Sequence, residues 1–184
     1  MLKKFYPYEY VDSVFEIDYE TLYKNGYRGL IFDIDNTLVH HGDDSTVEID
    51  KLFKTIQEIG FKTLVLSNNN EERVTRFLTN IDSLYICDAE KPKVGNYYKA
   101  IEMLGIKKEE AVFVGDQVFT DILGANRSGM ASILVRFIQL DSETNIGKRR
   151  QLEKVILSFY KRNKSVQNRL GNIIKKEKKK ENVV

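Results

Sequence analysis

Five short apolar runs, each followed at once by a polar or charged residue, constrain the fold of this chain more than any other feature. They are residues 29–32 before Asp33, 63–66 before Ser67, 83–87 before Asp88, 111–114 before Gly115-Asp116, and 132–135 before Arg136. Their apolar residues run on without the alternation expected of a half-exposed strand. Strands of that kind are covered on both faces, as in a parallel sheet.

Segments of helical period lie between the runs. In residues 48–59 the side chains Ile49, Leu52, Phe53, Ile56 and Ile59 share one face, and Gly60 follows. Residues 71–79 come after three asparagines able to cap a helix, 95–104 stop at Gly105, and 120–128 stop at Gly129. The alternation predicts an α/β fold with a doubly wound parallel sheet of about five strands. With 184 residues, 42% apolar and 30% charged, the chain suits one core of ordinary size. That core is expected over residues 29–147, after an N-terminal extension (1–28) and before a basic tail (148–184). No run approaches the roughly 18 apolar residues of a transmembrane helix, and the opening residues do not read as a signal peptide. Cys87 is the only cysteine and reads as a core thiol, with a reducing cytoplasm as the default compartment.

Chemistry in such sheets collects at the carboxyl ends of the strands. The residues there are Asp33, Ser67 and Asp116, with Asp35 and Asp121 close behind. If the chain stays extended past residue 33, Asp33 and Asp35 point to the same side. Carboxylates held that close need a cation or a shared proton. Aspartates gathered without a nearby His or Cys form a hard oxygen site, suited to Mg²⁺ rather than zinc. His40 and His41, the only histidines, read as an exposed flap instead of metal ligands. Tyr97 and Tyr98 read as helix packing.

The chain resembles the haloacid dehalogenase (HAD) superfamily from about residue 29 to 135, through four motifs in order. These are Asp33-Ile34-Asp35-Asn36-Thr37-Leu38, then Ser67, then Lys91-Pro92, then Gly115-Asp116 through Thr120-Asp121. The resemblance implies that Asp33 attacks phosphorus to form an aspartyl-phosphate and that Asp35 serves as acid and then base. It implies a Mg²⁺ ion held by Asp33, the backbone carbonyl of Asp35, and Asp116. Ser67 would bind a phosphoryl oxygen and Lys91 would offset transition-state charge. Asn68 would offer its backbone N–H to the phosphate, and Asp121 would orient Lys91 or a metal-bound water. An acid at position 35 favours a phosphatase over a dehalogenase or a transport ATPase.

Only 27 residues separate Val39 from Ser67, and 22 separate Asn68 from Lys91. Each stretch holds one helix and one strand, which leaves no room for a cap domain. Over nearly the whole chain, Phe5-Tyr6-Pro7, Ile17-Asp18 and residues 29–39 are similar to the YqeG-type subgroup of capless HAD phosphatases of subfamily IIIA. That subgroup is similar to phosphatidylglycerophosphate phosphatases of phospholipid synthesis. The expected substrate is therefore a phosphomonoester, a lipid headgroup foremost. Protein or nucleotide phosphatase activity is an alternative, and a non-catalytic docking module another.

Residues 148–184 carry 13 Lys and Arg against 3 Asp and Glu, a net +10, while the remainder carries 16 against 24, a net −8. Leu152, Val155, Ile156, Phe159, Tyr160, Val166, Leu170, Ile173 and Ile174 form an apolar stripe of helical spacing. A basic amphipathic helix of this kind can lie on an anionic membrane surface through residues 152–180. Packing on the sheet is the ordinary alternative for 152–160; for 166–180 surface association or disorder is expected over packing. Peripheral attachment at the inner membrane face is the corresponding location. Lys175 to Lys180 could touch RNA, but no aromatic platform or nucleic-acid motif accompanies them, so no specific nucleic acid is expected.

Overall fold

The computed structural model describes residues 2–139 and 147–175. Six parallel strands form one open sheet: β1 (Glu9–Val11), β2 (Gly29–Phe32), β3 (Lys62–Leu66), β4 (Leu84–Ile86), β5 (Ala111–Gly115) and β6 (Ala131–Val135). Their spatial order is β1-β6-β5-β2-β3-β4. The doubly wound α/β fold expected from the apolar runs is the fold observed, with one strand more. That strand, β1, lies in the first 28 residues and pairs with β6 along Glu9↔Ile133 to Val11↔Val135. At three residues, it is too short for periodicity to announce.

Strand β2 is the topological switch. The chain runs outward from it through α2 (Val47–Ile59), β3, α3 (Glu71–Phe77) and β4, then crosses back to β5 on the other side. Ligand sites of open α/β sheets lie at that reversal, beyond the carboxyl ends of the strands. Leu30 and Phe32 face a core shared with α1 (Tyr19–Lys24), α2 and α3, while Ile31 faces α4 (Gly95–Leu104) and α5 (Leu123–Ser128). Successive side chains point to opposite faces, so a strand apolar throughout is buried on both.

Local signals set the helix ends. Thr46 caps α2 through the Ile49 N–H, and Gly60 ends it at φ +113°. Of the three asparagines, Asn70 caps α3, accepting from the Arg73 N–H. Among the described residues no helix is long and apolar enough to cross a membrane.

The tail departs from a continuous amphipathic helix. Helix α6 (Lys148–Arg162) is followed by a short 3-10 turn at Lys164–Val166, and the chain then folds back over the body. Val166, Leu170 and Ile173 are buried, and Ile17 and Ile174 form an antiparallel bridge. The expectation of surface association or disorder for 166–180 is thus corrected for residues 166–175. Their apolar side chains cover the helical face near α1 and the N-terminal segment, where the sequence pattern shows no partner. Arg169 secures the return: it lies 3.6 Å over the Tyr8 ring and donates to the Tyr6 and Pro7 carbonyls at 3.0 and 2.9 Å. Residues 176–180, the rest of the proposed basic surface, lie outside the described residues.

Candidate active site

Asp33, Ser67 and Asp116 stand just past the carboxyl ends of β2, β3 and β5, all buried. The Asp33 N–H continues the β2–β5 ladder to the Val114 carbonyl at 3.0 Å, so its side chain starts from a fixed backbone. Lys91, on the loop between β4 and α4, donates from Nζ to Asp33 Oδ1 at 2.6 Å and to Asp121 Oδ1 at 2.8 Å. The three groups are almost wholly withdrawn from solvent. One cation therefore sits between two carboxylates where water screens neither pair. Burial by itself would depress the Lys91 pKa, but Asp121 and Asp33 outweigh it and hold the ammonium above its ordinary range.

Asp121 reaches this point because of the chain around it. It lies on a π-helical turn, Val118–Ile122, that leads into α5, and such turns are frequent at functional sites. Its second oxygen accepts the Gln117 N–H at 2.9 Å. Gly115 leaves the space it occupies: a Cβ there would stand 2.6 Å from the Asp121 carboxylate.

Asp33, Asp116 and Asp121 each present an oxygen within 4.8 Å of the others, and all three are buried. So many acids in one dry place repel. Burial raises the Asp116 carboxyl to about 8, with Asp121 adding to the rise and Arg150 opposing it. Burial likewise raises Asp33 to about 6, opposed by Lys91 and reinforced by Asp121. An oxygen-only cluster whose crowded acids resist ionisation until a cation joins them suits a hard divalent cation, Mg²⁺ among them.

Asp35 does not join this cluster with its carboxylate. The chain turns immediately after Ile34, with the Leu38 N–H bonded to the Ile34 carbonyl at 2.9 Å and Asn36 at φ +61°. The extended path that would align Asp33 with Asp35 is therefore not taken. Asp35 instead accepts from Asn69 Nδ2 at 2.6 Å, Arg73 Nη2 at 2.9 Å and the Gly42 N–H at 3.0 Å. Burial would raise its pKa, yet these three donors prevail and hold it below its ordinary value. His41, exposed, places Nδ1 3.5 Å from the same carboxylate, and His40 is half-buried on the same loop.

Ser67 is bonded by Asn69, through its N–H at 3.1 Å and its Nδ2 at 2.9 Å. Asn68 is exposed and uses its side chain, accepting the Lys91 N–H at 2.7 Å and so fixing the lysine loop. Tyr97 is buried against Phe113, and its hydroxyl donates to the Thr120 carbonyl at 3.0 Å; Tyr98 is exposed.

Four partners escape the motif pattern: Asn69, Arg73, Arg150 and Glu153. Asn69 adjoins a motif residue, and Arg73 is one helical turn past the cap, so both are within reach of a helix model. Arg150 and Glu153 come from α6, far away in sequence. Arg150 pairs with the Asp116 carboxylate, donates to the Asp116 carbonyl at 2.6 Å, and pairs with Glu153 at 3.0 Å. Glu153, buried, also accepts the Val118 N–H at 2.8 Å. Helix α6 is thus fastened to the rim of the carboxylate cluster.

A parallel α/β sheet with buried aspartates and a lysine at its strand ends is the plan of a haloacid dehalogenase-like hydrolase, and residues 42–129 match the model of that family. The chain is 38% identical over 169 residues to a probable phosphatase, YqeG, of Bacillus subtilis, covering 91% of this chain and 98% of that one. It is 26% identical over 168 residues to the chloroplastic/mitochondrial phosphatidylglycerophosphate phosphatase 1 of Arabidopsis thaliana, of whose length it spans 47%. Among solved structures, the cobalt-bound deoxy-D-mannose-octulosonate 8-phosphate phosphatase of Haemophilus influenzae shares the fold, with TM-score 0.51 and 18% identity over 77% of this chain and 92% of that one. The chain belongs to the YqeG family of haloacid dehalogenase-like phosphatases.

Proposed function

We propose that the protein hydrolyses phosphomonoesters through an aspartyl-phosphate on Asp33, with Mg²⁺ as cofactor and phosphatidylglycerophosphate as substrate. One observation carries the reading: a buried aspartate at the end of the central strand, held by a lysine that a second aspartate holds in turn.

In this mechanism Asp33 attacks the phosphorus, the bond to the ester oxygen breaks, and Asp35 gives that oxygen its proton. Asp35 then takes a proton from the water that cleaves the aspartyl-phosphate, releasing phosphate and restoring both acids. Lys91 lies where charge on the phosphoryl oxygens grows, and Ser67 offers a hydroxyl on the other side. Asp33 and Asp116, with the Asp35 carbonyl and the nearby Asp121, are the groups that would hold Mg²⁺. When bound, it would screen the anionic nucleophile from the anionic phosphate.

The lipid assignment has two supports. One is the similarity to the Arabidopsis enzyme. The other is the outer face of α6, where Leu152, Val155 and Phe159 are about half exposed at helical spacing beside Lys148, Lys161 and Arg162. An apolar row edged with cations suits an anionic bilayer surface, peripheral to the membrane.

Magnesium-dependent release of phosphate from para-nitrophenyl phosphate tests the chemistry, and Asp33→Asn should abolish it. Undiminished hydrolysis by that variant would remove the nucleophile assignment. Vesicle-borne phosphatidylglycerophosphate should be preferred to soluble esters; equal rates would remove the lipid.

A further inference from the structure

Beside the carboxylate cluster a cleft of about 800 Å³ opens between the carboxyl ends of β1 and β6 and helix α6. Asp116 and Arg150 stand in its wall, so whatever remains attached to a phosphate at Asp33 has this cleft within reach. Its basic residues are Arg136, Arg150 and Lys154, and its acids are Asp12, Asp116 and Glu153. Arg150 is engaged by Asp116 and Glu153. Arg136 and Lys154 are exposed and make no ion pair among the described residues. Phe137, Ile138 and Leu157 add apolar surface to the same cleft.

The phosphoryl group itself has no need of these cations, because Lys91, Ser67 and the metal seat already surround it. From this surplus we infer that the cleft is the leaving-group site, and that Arg136 and Lys154 bind a second anion carried by the leaving alcohol. Arg150 closes the inner end, and the apolar wall takes the short carbon chain between the two anions. A guanidinium matches the paired oxygens of a phosphodiester or a carboxylate, and an ammonium adds a point charge. The substrate class is thus a phosphomonoester with a second acidic group on its alcohol, whether free in solution or exposed as a lipid headgroup. The inference rests on the phosphatase reading above, and it assigns the leaving-group pocket of that same site.

The test compares the full chain with the double variant Arg136→Ala/Lys154→Ala, both positions being exposed. Substrates are para-nitrophenyl phosphate, the deacylated soluble headgroup glycerophosphoglycerophosphate, and phosphatidylglycerophosphate in neutral phosphatidylcholine vesicles. For the deacylated headgroup kcat/KM should fall at least tenfold more than for the aryl phosphate, and the lipid should follow the headgroup. A parallel fall, or none, overturns the subsite while leaving the phosphatase intact. Discrimination confined to vesicles also overturns it, since the cations would then read a membrane instead of the substrate. If the full chain cleaves no monoester the phosphatase reading fails, and calorimetry decides the cleft separately. Glycerophosphoglycerol, which lacks the monoester, should bind the full chain at least fivefold more tightly than the variant; equal or undetectable binding overturns the proposal.

Discussion

Arg150 holds Asp116 at two points, pairing with its carboxylate and donating to its backbone carbonyl. The guanidinium therefore engages one oxygen of a carboxylate proposed as a metal ligand, and it does so from α6, outside the four motifs. Arg150 is the counter-cation of Asp116, as Lys91 is of Asp33 and Asp121. Removing Arg150 leaves buried Asp116 beside Asp33 and Asp121 with no partner for its charge, which typically costs about 3–5 kcal/mol where the carboxylate is ionised. Arg150→Ala should accordingly have a lower Tm than the parent in EDTA, and gain more from saturating Mg²⁺. Differential scanning calorimetry across a magnesium series reads both; an equal magnesium increment in the two proteins would show that Arg150 and the metal do not compete.

The same cluster predicts how stability follows pH. Asp116 and Asp33 bind their protons more tightly folded than unfolded, with values raised to about 8 and about 6. Between the ordinary carboxylate range and pH 8 the folded state therefore holds more protons, and stability falls as pH rises. Carboxylates with lowered values, such as Asp18 and Asp35, act below this window. In EDTA the Tm should drop from pH 5.5 to pH 8, and Mg²⁺, which favours the ionised acids, should flatten the slope. Thermal melts at four pH values suffice, and a metal-free Tm that rises over this range would contradict the assignment.

Lys91 joins Asp33 to Asp121 with both distances below 2.9 Å. Lys91→Met keeps the bulk and deletes the charge. Loss of one such stabilising group commonly lowers kcat by about 10²–10³-fold. Without the ammonium Asp33 also becomes harder to ionise, so the acidic limb of the residual pH–rate profile should move to higher pH. A variant within fivefold of the parent, with an unmoved limb, would exclude the role.

Much of this site was legible in the sequence because its residues follow strands that announce themselves. Asp33, Ser67 and Asp116 end runs whose unbroken apolar character betrays burial on both faces. What stayed hidden was contributed by tertiary contacts without periodicity. Strand β1 is three residues long, and its partner β6 is more than 100 residues away in the chain. Arg150 and Glu153 resemble any other charged residues of a basic helix until α6 is docked. The tail misled for a related reason: Val166, Leu170 and Ile173 continue the helical spacing of α6, but the helix has ended, and each reaches the core from an irregular path.

Arg73 donates to Asp35 Oδ1 and to the Asp43 carbonyl at 2.7 Å, so it fixes both the acid and the loop beside it. Under the proposed mechanism it is a positioning residue, and its effect should appear in protonation more than in binding. Arg73→Ala removes a donor that keeps Asp35 below its ordinary pKa, so the Asp35 limb in the kcat profile should shift to higher pH. Arg73→Lys should restore part of the shift. A proportional loss at every pH, unchanged by lysine, would mean that Arg73 merely supports the fold.

Ile173 and Leu170 lie in the core shared with Leu22, Phe53 and Phe61, although they come from a tail that reads as basic surface. Deleting such a side chain costs the lost burial and the cavity left behind, about 2–5 kcal/mol for Ile or Leu to Ala. Ile173→Ala and Leu170→Ala should each lower the unfolding free energy measured in urea by that amount, with a matching fall in the midpoint. Ile174→Ala, close to half exposed, should cost well under 1.5 kcal/mol. Equal, small effects at all three would place the tail off the body. The contrast also governs how the membrane reading is tested: shortening the chain before residue 166 removes core side chains, so loss of lipid activity in such a truncation would report unfolding. Leu152→Glu and Phe159→Glu, on the exposed row of α6, change the surface alone, and vesicle binding should fall in these variants with the urea midpoint preserved.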